Sequence, residues 1–165
     1  MIKSSILYFF FTILLTANSF SAGSSSSGGD GGSMKSNYEK AVSYIKKAKK
    51  FEKKEKLEKA NKEYSKAQKL LLKSNKKKPN KADTLNYLGF TTRKLGDYEG
   101  GEKFYLLGLQ IEPNHNGINE YLGELYVVTN RIDMAKERLE VLKTCNCEEY
   151  EELKEIIDGS KKSKY

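Results

Sequence analysis

The sequence is poor in the residue types from which most catalytic sites are built. It has one histidine, His115, two cysteines and no tryptophan among 165 residues. A protein zinc site takes three or four His, Cys or carboxylate ligands, and a nucleophilic Ser or Cys usually needs a histidine as its base. His115 follows Pro113-Asn114, a context typical of a turn that leads into a helix, so an exposed or capping histidine is the simpler interpretation.

Other signatures of catalysis or nucleic-acid binding are also missing. The glycines between Gly28 and Gly32 are not followed by the Lys-Ser or Lys-Thr pair of a phosphate-binding loop. The sequence shows no basic-aromatic motif of the kind on which single-stranded nucleic acids stack. We therefore expect a non-enzymatic protein that binds no metal, no other cofactor and no nucleic acid.

Proline occurs only at positions 79 and 113, so the rest of the chain is free to form helices. These two prolines belong to a repeat. Pro79-Asn80 recurs as Pro113-Asn114, and Tyr87-Leu88-Gly89 recurs as Tyr121-Leu122-Gly123, in both cases 34 residues later. This period is typical of a helix-turn-helix unit that stacks on copies of itself and forms a curved solenoid with an extended binding surface.

The apolar residues support this interpretation, because they recur at intervals of three and four, as on one face of a helix. The pattern occurs in seven stretches, whose first apolar residues are Ala41, Leu57, Leu85, Tyr98, Ile118, Ile132 and Tyr150. We therefore predict an all-α solenoid of about three helix pairs plus a C-terminal capping helix.

The middle unit, residues 82–115, resembles the tetratricopeptide repeat (TPR). The matching residues are Leu85, Leu88 and Gly89 in the first helix, Gly96-Asp97-Tyr98 in the turn, and Tyr105 and Pro113 in the second half. The third unit keeps Leu122, Gly123, Tyr126, Ala135 and Leu139, with Asn130 at the turn glycine and Cys147 at the closing proline. Asparagine tolerates the left-handed conformation that this turn requires. The first unit matches more weakly, and its second helix is predicted to be long.

The resemblance implies one TPR-like domain at residues 38–160, with repeats at about 41–79, 82–115 and 116–149. A cap helix is expected at 148–160, followed by a disordered basic tail at 161–165.

The sequence before this domain predicts export. Lys3 precedes the apolar run from Ile6 to Leu15, and small residues follow, which is typical of a secretory signal peptide at residues 1–22. The run is shorter than the ~20 residues of a membrane-spanning helix, although an uncleaved anchor is the alternative. Residues 23–37 are mostly Ser and Gly and predict a flexible linker. The chain thus resembles a small exported bacterial TPR protein, periplasmic or secreted.

Charge divides the predicted domain into two unlike parts. Residues 38–81 contain 17 Lys and five acidic residues, whereas residues 82–165 contain 11 Lys and Arg and 16 acidic residues. The basic part is either a solvated helix surface or a surface that binds an anionic lipid, an acidic polymer or an acidic protein.

The two cysteines are separated by one residue, as Cys145-Asn146-Cys147. In an oxidising compartment an even number of cysteines favours a disulfide, which would steady the turn before the cap helix. Free or intermolecular thiols and a metal site are the alternatives.

In TPR proteins the first helix of each pair lines the concave face, and the resemblance therefore implies a groove that binds a protein or peptide partner. The residues carried over to its surface are Asn86, Phe90, Arg93, Lys94, Glu120 and Glu124. Phe90 either anchors a partner or packs on the neighbouring first helix, and Arg93 either clamps a carboxylate or pairs with Glu124. The function that this implies is a scaffold or adaptor of the cell envelope, monomeric or weakly self-associating.

Overall fold

The computed structural model describes residues 35–163, which form seven α-helices and no strand. The helices are α1 (Asn37–Glu52), α2 (Leu57–Lys77), α3 (Ala82–Lys94), α4 (Tyr98–Ile111), α5 (Asn116–Val128), α6 (Ile132–Leu142) and α7 (Glu148–Ile157). Helices α1 and α2, α3 and α4, and α5 and α6 pack as hairpins, and α7 packs on α5 and α6. The predicted all-α solenoid of three helix pairs with a capping helix is confirmed.

Helix α1 begins inside the segment predicted as linker. The Ser36 hydroxyl accepts a hydrogen bond from the Glu39 backbone N–H at 3.2 Å, and the Glu39 carboxylate accepts one from the Ser36 backbone N–H at 2.7 Å. This reciprocal capping box satisfies backbone donors that would otherwise lack partners at the start of the helix. The linker predicted at 23–37 therefore extends too far by its last two residues, while residues 23–34 and the predicted signal peptide at 1–22 lie outside the described residues.

The turns inside the second and third helix pairs have the same backbone conformation. Gly96 has a φ of 96° and Asn130, 34 residues later, has a φ of 59°. Both angles lie in the left-handed region, where glycine has no steric penalty and asparagine is among the better tolerated residues. The turn at Asn130 thus follows the expectation from the repeat.

The hairpin of α3 and α4 depends on close contact between its helices. Tyr105 is fully buried, and a Cβ added at Gly89 would lie 2.5 Å from Cε1 of its ring. On the opposite side of the contact, a Cβ at Gly101 would lie 3.0 Å from the Gly89 carbonyl oxygen. The glycines therefore let α3 and α4 approach closely while the Tyr105 ring fills the space beside them.

Helices α3 and α5 lie at the centre of the domain, so few of their side chains reach solvent. Helix α3 contacts α1, α2, α4 and α5, and helix α5 contacts α3, α4, α6 and α7. Ten of the thirteen residues of α3 are buried as a result.

The capping helix covers the face of α5 that a further repeat would cover. Leu153 and Ile156 of α7 are buried, and a Cβ at Gly123 would lie 2.5 Å from Cδ2 of Leu153. The disulfide between Cys145 and Cys147 lies in the turn that precedes α7. After α7, the Lys161 Nζ lies 2.9 Å from Glu152 and 3.5 Å from Glu155. Lys161 is therefore held by α7, which corrects the disordered tail predicted from this residue onward.

None of the helices within residues 35–163 combines the length and apolar character needed to cross a lipid bilayer.

Candidate partner-binding face

The first helices α1, α3 and α5 share one side of the solenoid, and all six residues predicted to line its groove lie on α3 and α5. Most of them are buried. The exposed fraction is 7% for Asn86, 1% for Phe90, 2% for Arg93, 5% for Glu120 and 0% for Glu124. The structure therefore brings the predicted residues together, but most of them pack between helices and do not form an open surface.

Phe90 packs against aromatic rings on both sides. Its ring centroid lies 5.7 Å from that of Tyr64, in an edge-to-face arrangement, and 5.2 Å from that of Tyr121. The Lys49 Nζ from α1 lies 4.7 Å from the Phe90 centroid, within the range of a cation-π interaction. Phe90 is thus a core residue, and the interpretation as packing on neighbouring helices describes it better than the interpretation as an exposed anchor.

Arg93 joins α3 to α5 through two hydrogen bonds. Its Nη2 donates to Glu124 Oε2 at 3.0 Å, and its Nη1 donates to the backbone carbonyl of Tyr121 at 2.7 Å. The side chains of Arg93 and Glu124 are completely buried. A charge so far from water is stable only when it is paired and hydrogen-bonded, so the pairing of Arg93 with Glu124 is part of the core.

Lys94 has the same role toward the first helix pair. Its Nζ forms an ion pair with Glu52 of α1, and the other Glu52 oxygen accepts a hydrogen bond from Tyr64 at 2.8 Å. The Nζ also lies 5.6 Å from the centroid of the Tyr64 ring. This contact could not be predicted from the sequence pattern, because it joins residues that are 42 positions apart.

The two predicted glutamates meet a third carboxylate, Glu152 of α7. One oxygen from each of Glu120, Glu124 and Glu152 lies within 4.8 Å of the others, a spacing that a metal ion could bridge. Two of the three carboxylates pair with a cation, since Arg93 bonds Glu124 and Lys161 bonds Glu152. The geometry is therefore that of a cluster of ion-paired groups at the contact between α5 and the cap helix.

Asn86 packs at the contact between α3 and the start of α5. A Cβ added at Gly117 would lie 2.9 Å from its Nδ2, so Gly117 leaves room for the amide. The Asn86 Oδ1 is buried and accepts no hydrogen bond within residues 35–163.

Three tyrosines, which the sequence interpretation did not select, lie across the same face. Tyr38 on α1, Tyr87 on α3 and Tyr121 on α5 are each partly exposed. The Tyr38 and Tyr87 ring centroids are 5.9 Å apart, and the Tyr121 ring contacts Phe90 as described. The sequence contained a signal for two of these tyrosines, because Tyr87 and Tyr121 occupy the same position of the 34-residue repeat.

Burial raises the pKa of all three tyrosine hydroxyls. It raises the pKa of Tyr38 to about 12, with the nearby Asp83 carboxylate as a further cause. Burial also raises the pKa of Tyr87 and of Tyr121, in the first case with Asp83 and in the second with Glu120 as the next contribution. The hydroxyls are therefore neutral at physiological pH and can both donate and accept hydrogen bonds. We call these three residues the tyrosine row.

His115 is the N-cap of α5. Its Nδ1 accepts a hydrogen bond from the Ile118 backbone N–H at 3.2 Å, and its Nε2 lies 3.2 Å from Asp83 Oδ1. An acceptor Nδ1 places the ring proton on Nε2, which then donates to Asp83. The histidine thus connects α5 to α3, in agreement with its interpretation as a capping residue.

The opposite side of the second helix pair carries apolar side chains that no described helix covers. Leu106, Leu107 and Ile111 of α4 are 43%, 48% and 44% exposed. They lie on the second helix of the pair, whereas the tyrosine row lies on first helices. They provide a reference surface for experiments on the tyrosine row.

Comparison with known proteins gives matches in structure only. No protein-family model matches the chain, and no curated protein matches it in sequence. Among solved structures, the TPR domain of Sgt2 from Aspergillus fumigatus is 17% identical and has a TM-score of 0.54, over 73% of this chain and 78% of that one.

Two further TPR domains align with lower scores. The first TPR domain of Spaghetti (RPAP3), bound to an HSP90 peptide, is 19% identical with a TM-score of 0.48, over 74% of this chain and 96% of that one. The first TPR domain of human RPAP3 is 20% identical with a TM-score of 0.47, over 76% and 98% of the two chains. The match to Sgt2 and the three stacked helix hairpins together show that this chain has the fold of a TPR domain.

Proposed function

We propose that this chain is a non-enzymatic protein-binding scaffold of the cell envelope, and that it holds a protein or peptide partner across the tyrosine row. The observation that carries the proposal is the position of Tyr38, Tyr87 and Tyr121 on three successive first helices, α1, α3 and α5. Each residue is partly exposed and lies on a first helix, the helices that line the concave face in TPR domains.

Tyrosine suits this role for physical reasons. Its large ring contributes apolar contact area with few rotatable bonds, and its hydroxyl satisfies the polar atoms of a partner. Tyrosine is accordingly among the residues that dominate the binding energy of protein interfaces. In this domain the rings are also held in place before binding, because Tyr121 packs on Phe90 and Tyr38 packs on Tyr87. Preorganised side chains lose less conformational entropy when a partner binds.

The residues first assigned to the groove have a supporting role in this proposal. Phe90, Arg93 and Glu124 lie beneath the tyrosine row and fix the distance between α3 and α5. Phe90→Ala should therefore reduce the stability of the fold by about 3–5 kcal/mol, as truncation of a buried aromatic does. Any effect of this substitution on a partner would follow from the loss of structure.

Export is proposed from residues 1–22, whose charged start, apolar run and small-residue exit are those of a signal peptide. Export would place the scaffold in the periplasm or outside the cell. The two cysteines, which are bonded to each other, are compatible with an oxidising compartment.

Site-specific photo-crosslinking tests the proposed face. A benzoylphenylalanine residue at position 87 or 121 keeps an aromatic ring in place and should capture the same partner from intact cells. The matched control places the crosslinker at Leu107, which is 48% exposed on the outer side of α4. Capture at Leu107 with none at 87 and 121 would contradict the proposal.

A purified partner then allows a quantitative test. Tyr87→Ala should weaken binding by more than about 1 kcal/mol, or roughly five-fold, with an unchanged helical circular dichroism spectrum. Leu107→Ala should leave the affinity unchanged. Equal effects of the two substitutions would show that the tyrosine row does not define the interface.

A further inference from the structure

A recess with a volume of about 470 Å³ lies where three helix ends meet, away from Phe90 and Arg93. It is formed by the start of α1, the end of α2 and the start of α3. Its lining consists of Lys35, Ser36, Asn37, Tyr38, Lys40, Ser74, Lys77, Lys78, Lys81, Asp83 and Thr84. The volume lies within the range of small-molecule sites, about 300–1,000 Å³.

The lining is strongly cationic. It contains five lysines and one carboxylate, Asp83, which already contacts the His115 Nε2 at 3.2 Å. None of the five lysines forms an ion pair with a carboxylate of residues 35–163. Other exposed lysines, such as Lys46, Lys50 and Lys53, also form no ion pair within these residues, but they do not line this cavity. The recess therefore gathers positive charge that the fold does not neutralise.

Two helices also begin at this recess. The first backbone N–H groups of a helix have no partner within the helix, and the helix dipole adds positive potential there. At α1, Ser36 caps the N–H of Glu39 and the Glu39 carboxylate accepts the Ser36 N–H, so this helix start already holds one carboxylate. The N-cap of α3, Lys81, makes no side-chain cap. Ser74 and Thr84, whose side chains carry hydrogen-bond donors, belong to the same lining.

We propose that this recess binds a small ligand that carries two or more phosphate groups. Phosphate is the anion that helix N-termini and lysines bind together in proteins. A single phosphate would neutralise only part of five ammonium groups, whereas linked phosphates can reach lysines on both sides of the recess. The recess borders the tyrosine row at Tyr38, but its five lysines lie outside that row, and a protein partner on the row requires no anion in the recess.

The recess was not predicted as a site because its lysines are far apart in the sequence. The lysines of residues 38–81 are distributed over α1 and α2, which is also typical of a solvated surface. The fold brings Lys35 and Lys40 next to Lys77, Lys78 and Lys81, although the two groups are separated by a complete helix hairpin.

Titration with inorganic tripolyphosphate tests the proposal on the purified chain. We expect saturable binding in calorimetry, with amide chemical-shift changes concentrated at Ser36–Tyr38 and Ala82–Thr84. The triple variant Lys77→Gln, Lys78→Gln, Lys81→Gln should weaken this binding at least ten-fold. The control triple variant Lys46→Gln, Lys50→Gln, Lys53→Gln removes the same charge from exposed lysines outside the recess and should change the affinity less than three-fold.

Equal losses in the two triple variants would overturn the proposal, because they would indicate attraction by overall charge. A glutamate-rich peptide that binds at the recess while tripolyphosphate does not would overturn it as well. Vesicles then distinguish the source of the phosphate groups. Binding to a lipid with a bisphosphorylated headgroup, but not to phosphatidylserine vesicles of equal charge, assigns the ligand to a membrane. Tripolyphosphate binding without vesicle binding assigns it to a soluble molecule, and both results support the site.

Discussion

Removal of Arg93 should strongly destabilise the domain, because it would leave a buried carboxylate without its principal cation. The side chains of Arg93 and Glu124 are both 0% exposed and lie 3.0 Å apart. Breaking a buried ion pair from one side costs about 3–5 kcal/mol. A domain of this size is expected to be stable by roughly 6–19 kcal/mol in total, so Arg93→Met should remove a large share and lower the melting temperature by about 10–20 °C.

Urea denaturation followed by circular dichroism measures this loss. The double variant Arg93→Met, Glu124→Leu should recover most of it, since well-packed apolar residues often replace a buried pair without net cost. The matched control is Arg131→Met. Arg131 is likewise paired with a glutamate, since it donates two hydrogen bonds to the Glu102 carboxylate at 2.9 and 2.7 Å, but its side chain is 35% exposed.

We expect Arg131→Met to cost less than about 1 kcal/mol, the usual range for solvent-exposed pairs. The reasoning would be refuted if Arg93→Met also cost less than about 1 kcal/mol, or if the double variant were no more stable than the single one. Either result would mean that Glu124 is hydrated or that its charge is stabilised by other groups.

Four further predictions concern the core, the phenols, the cysteines and the N-terminus. Tyr105→Ala should reduce the free energy of unfolding by about 3–5 kcal/mol in urea denaturation, and a loss below about 1 kcal/mol would contradict the packing of the second repeat. Stability should fall as pH rises above about 10, because tyrosines of the unfolded chain ionise there while Tyr38 keeps its proton to about pH 12; constant stability up to pH 12 would contradict this. Mass spectrometry of alkylated, unreduced protein should find Cys145 and Cys147 unmodified, and two alkylated thiols would exclude the bridge. N-terminal sequencing of the mature chain should begin near residues 21–23, and an intact Met1 in a membrane fraction would favour the anchor.

The architecture could be predicted from the sequence because it depends on local and periodic features. The 34-residue spacing, the apolar intervals of three and four, and the glycine or asparagine at positions 96 and 130 each determine a short stretch of backbone. Repetition then determines the stacking, since every hairpin buries its apolar face on the next one. These features do not depend on how tightly neighbouring first helices approach one another.

The candidate partner-binding face depends on how closely the first helices approach one another, and only the tertiary structure determines that distance. Phe90, Arg93 and Lys94 occupy positions that face outward in a widely spaced solenoid, but here α1 and α5 enclose α3 and bury all three side chains. The partners that stabilise them are distant in sequence, as Glu52 is for Lys94 and Glu124 for Arg93. The periodic pattern specifies which face of a helix is apolar. The exposure of a polar or aromatic side chain also depends on the distance to the next helix, and the side chains of several helices set that distance together.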